Sequence, residues 1–291
     1  MSGAIQIMIF GFLLGGVYAL FASGLTLAFG VMRIVNLAHA VFIIAAAYAA
    51  FYAYETLGID PLLSILFIVP LFFIAGVGIY LVFFGRIEGS SRYVEMTVLL
   101  TFGIAIMIEG LLGVQFTGIY RQATPGYLTD AFHIGEFLIP TKEFYAAVLS
   151  LVLLFVLYLF LRFTRTGYGI RATMQNRAAA QLVGVNVRRV SAISFGISTA
   201  LAGASGALMS FLFPFFPFRH WQWIAILLAL VVLGGMGSLK GALVGALALG
   251  VASSLVVRYI GPGWGPMAFY AALFGILLIR PRGLFGKELT A

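Results

Sequence analysis

"MSGAIQIMIFGFLLGGVYALFASGLTLAFG", residues 1–30, holds no charged side chain. A helix rises about 1.5 Å per residue, so a run of this length reaches across a hydrocarbon core of about 30 Å. A cleavable export signal would show a basic start and a shorter apolar run. Neither is present, and the segment reads as a first spanning helix that is retained. In lipid every backbone polar group must be satisfied within the protein, so the rest of the chain is expected to cross as helices or as a closed barrel.

Working outward, 63% of the 291 residues are apolar and 9% are charged, against roughly 45–50% and about 25% in soluble domains. Apolar runs of spanning length recur near residues 5–30, 37–54, 62–85, 96–114, 144–161, 191–213, 223–234, 241–257 and 265–280. The runs at 37–54, 223–234 and 241–257 are short, and GGMGSLKG at 234–241 is glycine-rich, so some of these are expected to be broken or re-entrant. Ten-residue stretches of strict alternation are missing, which argues against a β-barrel. The expected fold is an all-α integral membrane bundle of about eight or nine helices, built as one transmembrane domain over residues 1–291.

Charge sets the topology. Arg162, Arg165, Arg171, Arg177, Arg188 and Arg189 fall in the 162–190 connection without an acid, and Arg280, Arg282 and Lys287 fall in the tail. Basic loops stay on the cytoplasmic side. The 115–143 loop, with Asp130, Glu136 and Glu143, suits the opposite face. With nine crossings the N-terminus lies outside and the C-terminus inside. The net charge of +8 then follows from topology and gives no reason to expect nucleic acid.

Several chemistries are excluded. Without cysteine there is no disulfide, thiolate metal site or cysteine nucleophile. His39, His133 and His220 are far apart in sequence and form no HExxH pair, so no metal is expected. No GxSxG elbow is present. GGMGSLKG resembles a phosphate cradle, but Leu239 precedes Lys240 and Gly241 follows it, so the Gly-Lys-Ser/Thr element is missing. No enzyme activity and no cofactor of its own are expected.

"RATMQNRAAAQLVGVNVRRV", residues 171–190, interrupts the apolar sequence. Ile170, Met174, Ala178, Leu182 and Val185 recur at helical spacing, with Arg171, Gln175 and Arg177 off that stripe. Gly184 and Asn186 signal the helix end. The stretch reads either as an interfacial helix on anionic lipid or as a docking helix for a cytosolic partner.

Within this stretch, Q-N-R-A-A-A-Q-L-V-G-V-N resembles the coupling loop of the LivH-type branched-chain amino acid permeases of ABC importers, with Ala178 where the general motif has Glu. The likeness extends to GLTLAFGVMRIVNLAHA (24–40), TRTGYGIRATMQNRAAAQLVGVNV (164–187), VLGGMGSLKGALVGALALG (232–250) and RPRGLFG (280–286). Ala40 stands where the family commonly has Gly. The resemblance implies a permease subunit in a bacterial-type inner membrane, importing branched-chain or related hydrophobic amino acids. It implies a second, LivM-type permease, an extracytoplasmic binding protein, and two cytosolic ATPase subunits that bind ATP and Mg. It also implies that Arg171, Met174, Arg177, Ala178, Ala179, Ala180, Leu182 and Gly184, in the loop 164–190, receive the ATPases. Urea or short amides, which the resemblance associates with a sister branch, are the alternative cargo.

The apolar spans hold few polar groups, and such groups are costly and tend to be functional. Asn36 and His39, beside Arg33, are candidates for the translocation path, with Asn36 also read as a cap for the second helix. Glu109 is a third candidate, or else meets water or Arg121. A channel or secondary transporter working through Glu109 or His39 without an ATPase is the rival reading, and a scaffold without flux is a third. Small residues four apart at Gly11/Gly15, Gly196/Ala200/Ala204, Gly203/Ala207 and Gly241/Gly245 are expected at close helix contacts.

Overall fold

The computed structural model describes residues 2–280 and 283–285, and among these the apolar runs form nine helices long and apolar enough to cross a membrane. α1 is Ser2–Met32 and α2 is His39–Leu57. α3 (Pro61–Ile79) continues through a π-helical turn, Tyr80–Phe84, into α4 (Gly85–Ile87). α5 (Tyr93–Phe116) leads to a hairpin of β1 (Ala131–Ile134) and β2 (Phe137–Pro140), followed by α6 (Thr141–Phe163). The short α7 (Arg165–Gln175) and α8 (Arg177–Leu182) precede α9 (Val187–Leu212). α10 (His220–Gly234), α11 (Leu239–Tyr259) and α12 (Gly265–Ile279) complete the bundle.

Local chemistry sets the helix starts. Asp60 accepts from Leu62 N at 2.8 Å with Pro61 in the first helical position of α3, a pairing that satisfies one free N–H and pre-sets the backbone. Thr164, Asn176, Asn186 and Ser238 cap α7, α8, α9 and α11 in the same way. The hairpin turns at Gly135, φ 62°, and pairs Ala131 with Pro140. It is a structured part of what the sequence presents as a long loop, and Gln6 of α1 hydrogen-bonds the backbone of Leu138.

α9 is the central post: 94% of its most apolar window is buried. Its glycines make room for neighbours. A Cβ on Gly196 would meet Val77 of α3 at 2.6 Å, and one on Gly203 would meet Phe72 at 3.1 Å. Gly206 lies against the α2 backbone near Ile43 and Ala47. Likewise, a Cβ on Gly11 or Gly15 would come within 2.6 or 2.8 Å of the α11 backbone at Val251 or Leu247. Apart from Gly206, these are the small-residue faces expected from the sequence, and all of them let backbones approach where lipid gives no apolar drive to association.

One expectation is corrected. α2 and α11 are continuous helices of 19 and 21 residues, and neither is broken. α10 is short, at 15 residues after a 3-10 turn at Pro217–Arg219. The glycine-rich link is a tight helix-to-helix turn, with Gly235 and Gly237 at positive φ and Ser238 accepting from Gly241 N. At that turn Gly237 lies against Gly30 of α1.

The two ends of the bundle differ in charge. One end carries Arg33, Arg86, Arg92, the arginines from 162 to 189, Lys240 and Arg280. The other carries the hairpin, Arg121, Lys142, Arg219 and Arg258, together with Glu55, Asp60, Asp130, Glu136 and Glu143. Arg282 and Lys287 lie outside the described residues.

Candidate functional site

The link from α1 to α2 does not stay at the bundle surface. His39, the first residue of α2, places Nε2 3.1 Å from the carbonyl of Phe21. At 1.5 Å per residue, Phe21 lies roughly 16 Å inside the Met32 end of α1. The hydroxyl of Thr101 reaches the Val35 carbonyl at 3.4 Å, roughly 12 Å inside the start of α5. Residues 34–37 therefore run back into the bundle without helical hydrogen bonding, between the last bond of α1, from Arg33 N to the Phe29 carbonyl, and the first of α2, from Phe42 N to the Ala38 carbonyl. Irregular backbone at this depth persists only where protein surrounds it or where it lines a cavity.

Polar atoms concentrate on this segment. Asn36 and His39 are fully buried. Asn36 Oδ1 accepts from Ala38 N at 3.1 Å, and its carbonyl accepts from His39 N at 3.2 Å. It thus holds the turn ahead of α2, while the helix-capping position belongs to Ala38 without a side-chain bond. Asn36 Nδ2 and His39 Nδ1 have no partner. Ser198 of α9 donates to the Gly24 carbonyl at 2.7 Å, and a Cβ on Gly24 would strike the His39 ring at 2.6 Å. Gly24 is the clearance that admits the imidazole.

Glu109 belongs to a different place. Its Oε2 lies 2.7 Å from His220 Nε2 and 2.9 Å from Trp221 Nε1, so it binds the start of α10 and not Arg121. Arg121 instead stands over the Phe51 ring, 5.8 Å from its centroid, and its backbone pairs with Phe215 at 2.9 Å in both directions. The link before α10 is thereby drawn against α5, much as the link before α2 is drawn against α1. His220 was in the sequence as an isolated histidine. Nothing local marks its partner.

The basic loop is not the single helix that its stripe suggests. Asn176 is extended, φ −152°, and its side chain caps α8 by accepting from Ala179 N at 3.0 Å. The break rotates α8, so Ala180 becomes the buried residue while Ala178 and Ala179 are exposed. Leu182 and Val183 are 89% and 78% exposed. Met174 packs over Gly30 of α1. Arg171 lies 4.8 Å above the Tyr168 ring.

Arg177 forms an ion pair with Glu88, which also accepts from Tyr80 in the π-helical turn at 3.1 Å. Burial holds the Arg177 guanidinium below its ordinary value. Gly184, at φ 85°, closes α8 with N–H bonds from Gly184 to Gln181 and from Val185 to Ala180, the left-handed helix ending that glycine favours. Among the described residues, no three histidines or acids approach closely enough to hold a metal ion.

Residues 7–280 match the family described as "Branched-chain amino acid transport system / permease component". Over 297 residues the chain is 27% identical to the high-affinity branched-chain amino acid transport system permease protein LivH of Salmonella typhimurium (strain LT2), covering 97% of this chain and 96% of that one. BraD, the corresponding permease protein of Pseudomonas aeruginosa, is 27% identical over 305 residues, with the same coverage. A shorter match, 31% over 184 residues, is to LivM of Escherichia coli (strain K12), covering 60% of this chain and 41% of that one.

Proposed function

The chain belongs to the branched-chain amino acid transport permease family, and on that premise, with nine helices among the described residues long and apolar enough to cross a membrane, we propose that it is the permease subunit of an ABC importer. Its cargo is a branched-chain or related hydrophobic amino acid, by analogy with the relatives named LivH and BraD. Two cytosolic ATPase subunits supply ATP hydrolysis and bind the nucleotide and Mg, and this chain carries no ATPase site. A LivM-type permease completes the membrane part, in keeping with the partial match to such a chain. An extracytoplasmic binding protein delivers cargo. The chain sits in the inner membrane with its N-terminus outside and its arginine-rich end in the cytoplasm, as the charge asymmetry favours.

One observation carries the coupling role. Leu182 and Val183 project from a capped, glycine-closed turn at the cationic end, where bulky apolar side chains gain nothing in water and are suited to a partner's surface. Arg171, Met174, Arg177, Ala178, Ala179, Ala180 and Gly184 set the position and shape of that tip. Asn36 and His39 line the path where the backbone is irregular and polar atoms are unpaired. Glu109, already engaged by His220 and Trp221, fixes the α5–α10 junction.

The test is co-expression with a LivM-type permease and two ATPase chains, followed by reconstitution with the binding protein outside. ATP-dependent leucine uptake is expected. Uptake by this chain alone, without ATP, would overturn the reading in favour of an autonomous carrier.

A further inference from the structure

A cavity of about 880 Å³ opens at the hairpin end of the bundle, between α1, α10, α11 and the α11–α12 turn. This volume falls in the range of sites that enclose small molecules. Its inner end is aromatic: Tyr18 stacks on Phe213 at 6.4 Å, meets Phe269 edge-on at 5.4 Å and lies 6.2 Å from Trp223. Its polar lining includes two cations, Arg219 and Arg258, and no carboxylate. Arg219 donates to the Pro214 carbonyl at 2.7 Å. Arg258 enters no ion pair among the described residues.

The floor leads inward from Trp223, which lines the cavity and is 5% exposed. Trp223 packs edge-on against Phe21 at 5.6 Å, and the Phe21 carbonyl is the atom that His39 bonds. One aromatic layer separates the cavity from buried His39.

We infer that this cavity is a binding site for an apolar carboxylate, an amino acid with a hydrophobic side chain being one such molecule. The carboxylate lies between Arg219 and Arg258, and the apolar group lies on the aromatic box. Since the lining has two cations and no acid, recognition falls on the carboxylate and not on the ammonium group. A charge-assisted bond of this kind is about twice as strong as a neutral one. The inference rests on the transport reading for its choice of probe.

The experiment is equilibrium binding of radiolabelled L-leucine to the complete permease–ATPase complex in nanodiscs, without ATP and without binding protein. 4-Methylpentanoate, which keeps the carboxylate, is expected to compete. L-Leucinamide, which lacks it, is not. Arg258→Gln is expected to weaken binding by roughly tenfold or more, and leucine should quench tryptophan emission in the native chain but not in Trp223→Phe. Equal competition by leucinamide, or unchanged affinity in Arg258→Gln, would overturn the inference. So would leucine binding that disappears when phosphatidylglycerol replaces neutral lipid, because the anion held there would then be a headgroup. If Arg219→Gln does not assemble, the ligand series on the native chain still decides. Absence of binding beside intact ATP-driven uptake sinks this site alone, whereas binding without such uptake sinks the transport reading.

Discussion

Glu109 Oε2 stands 2.7 Å from His220 Nε2 and 2.9 Å from Trp221 Nε1, joining the C-terminal third of α5 to the first turn of α10, with Glu109 and His220 111 residues apart in the chain. His220 is fully buried, so its ring depends on this acceptor. Glu109→Ala is expected to destabilise the protein by about 1–3 kcal/mol, the cost of leaving a buried donor unpaired. Glu109→Gln keeps an acceptor oxygen and should cost less. Thermal unfolding in detergent measures both. ATP-driven uptake should persist in Glu109→Gln. Its complete loss in a stable Gln variant would instead make Glu109 a proton-coupling carboxylate.

The exposed tip of the basic loop predicts a selective defect. Leu182→Asp with Val183→Asp should leave membrane insertion and pairing with the second permease intact, because neither side chain is buried. ATPase co-purification should fall, and hydrolysis should no longer respond to cargo. Normal stimulation in the double variant would remove this tip from the docking surface.

Arg177 acts differently from Arg171, since it is paired within the chain. Glu88→Arg and Arg177→Glu should each loosen α8 from the π-helical turn at Tyr80–Phe84, and the two together should restore much of the coupling. Proteolysis of the loop in native membranes and the coupling ratio are the readouts. An additive loss in the double variant would show that the pair does not act as a unit.

Gly184 holds φ 85° with open space where a side chain would stand. The obstacle to substitution is therefore backbone conformation, and Gly184→Val should cost about 1–2 kcal/mol locally. Faster hydrogen exchange over residues 177–186 is expected, with the spans unaffected. Unchanged exchange there would refute it.

Close approach is the obstacle at Gly11 and Gly15, against the α11 backbone. Gly11→Leu or Gly15→Leu should abolish the folded protein in membranes, whereas Gly103→Leu, which meets nothing within 4 Å, should be accepted by this chain. Folded yield by fluorescence size exclusion distinguishes them. If Gly103→Leu folds but no longer assembles with the second permease, that face of α5 belongs to the subunit interface.

Much of the bundle was legible because spans are local. Twenty apolar residues in sequence need lipid wherever they occur, and Gly11/Gly15 and Gly196/Ala200 announce contacts because a missing side chain is visible without knowing the neighbour. The loop shows where that legibility fails. Its stripe from Ile170 to Val185 assumes one helix, but Asn176 has two options: continuing the helix or capping a new one. The cap wins in the folded chain, so Ala178 and Leu182 turn outward while Ala180 turns in. Asn36 and His39 were readable as costly polar residues. That their segment runs roughly 12–16 Å into the bundle was not, because it depends on Phe21 and Thr101.

Composition and charge alone determined that this is an all-α membrane bundle of about nine crossings with one strongly basic end, and motif likeness placed it among the permeases. Those properties reside in short windows of chain and in the cost of exposing backbone or charge to lipid. Tertiary structure alone decided that Glu109 meets His220, that Arg177 meets Glu88, that Leu182 points outward, and that an aromatic, cationic cavity stands above His39. Each depends on which helix faces which, and in a bundle of uniformly apolar helices that choice is made by side-chain packing between segments far apart in sequence.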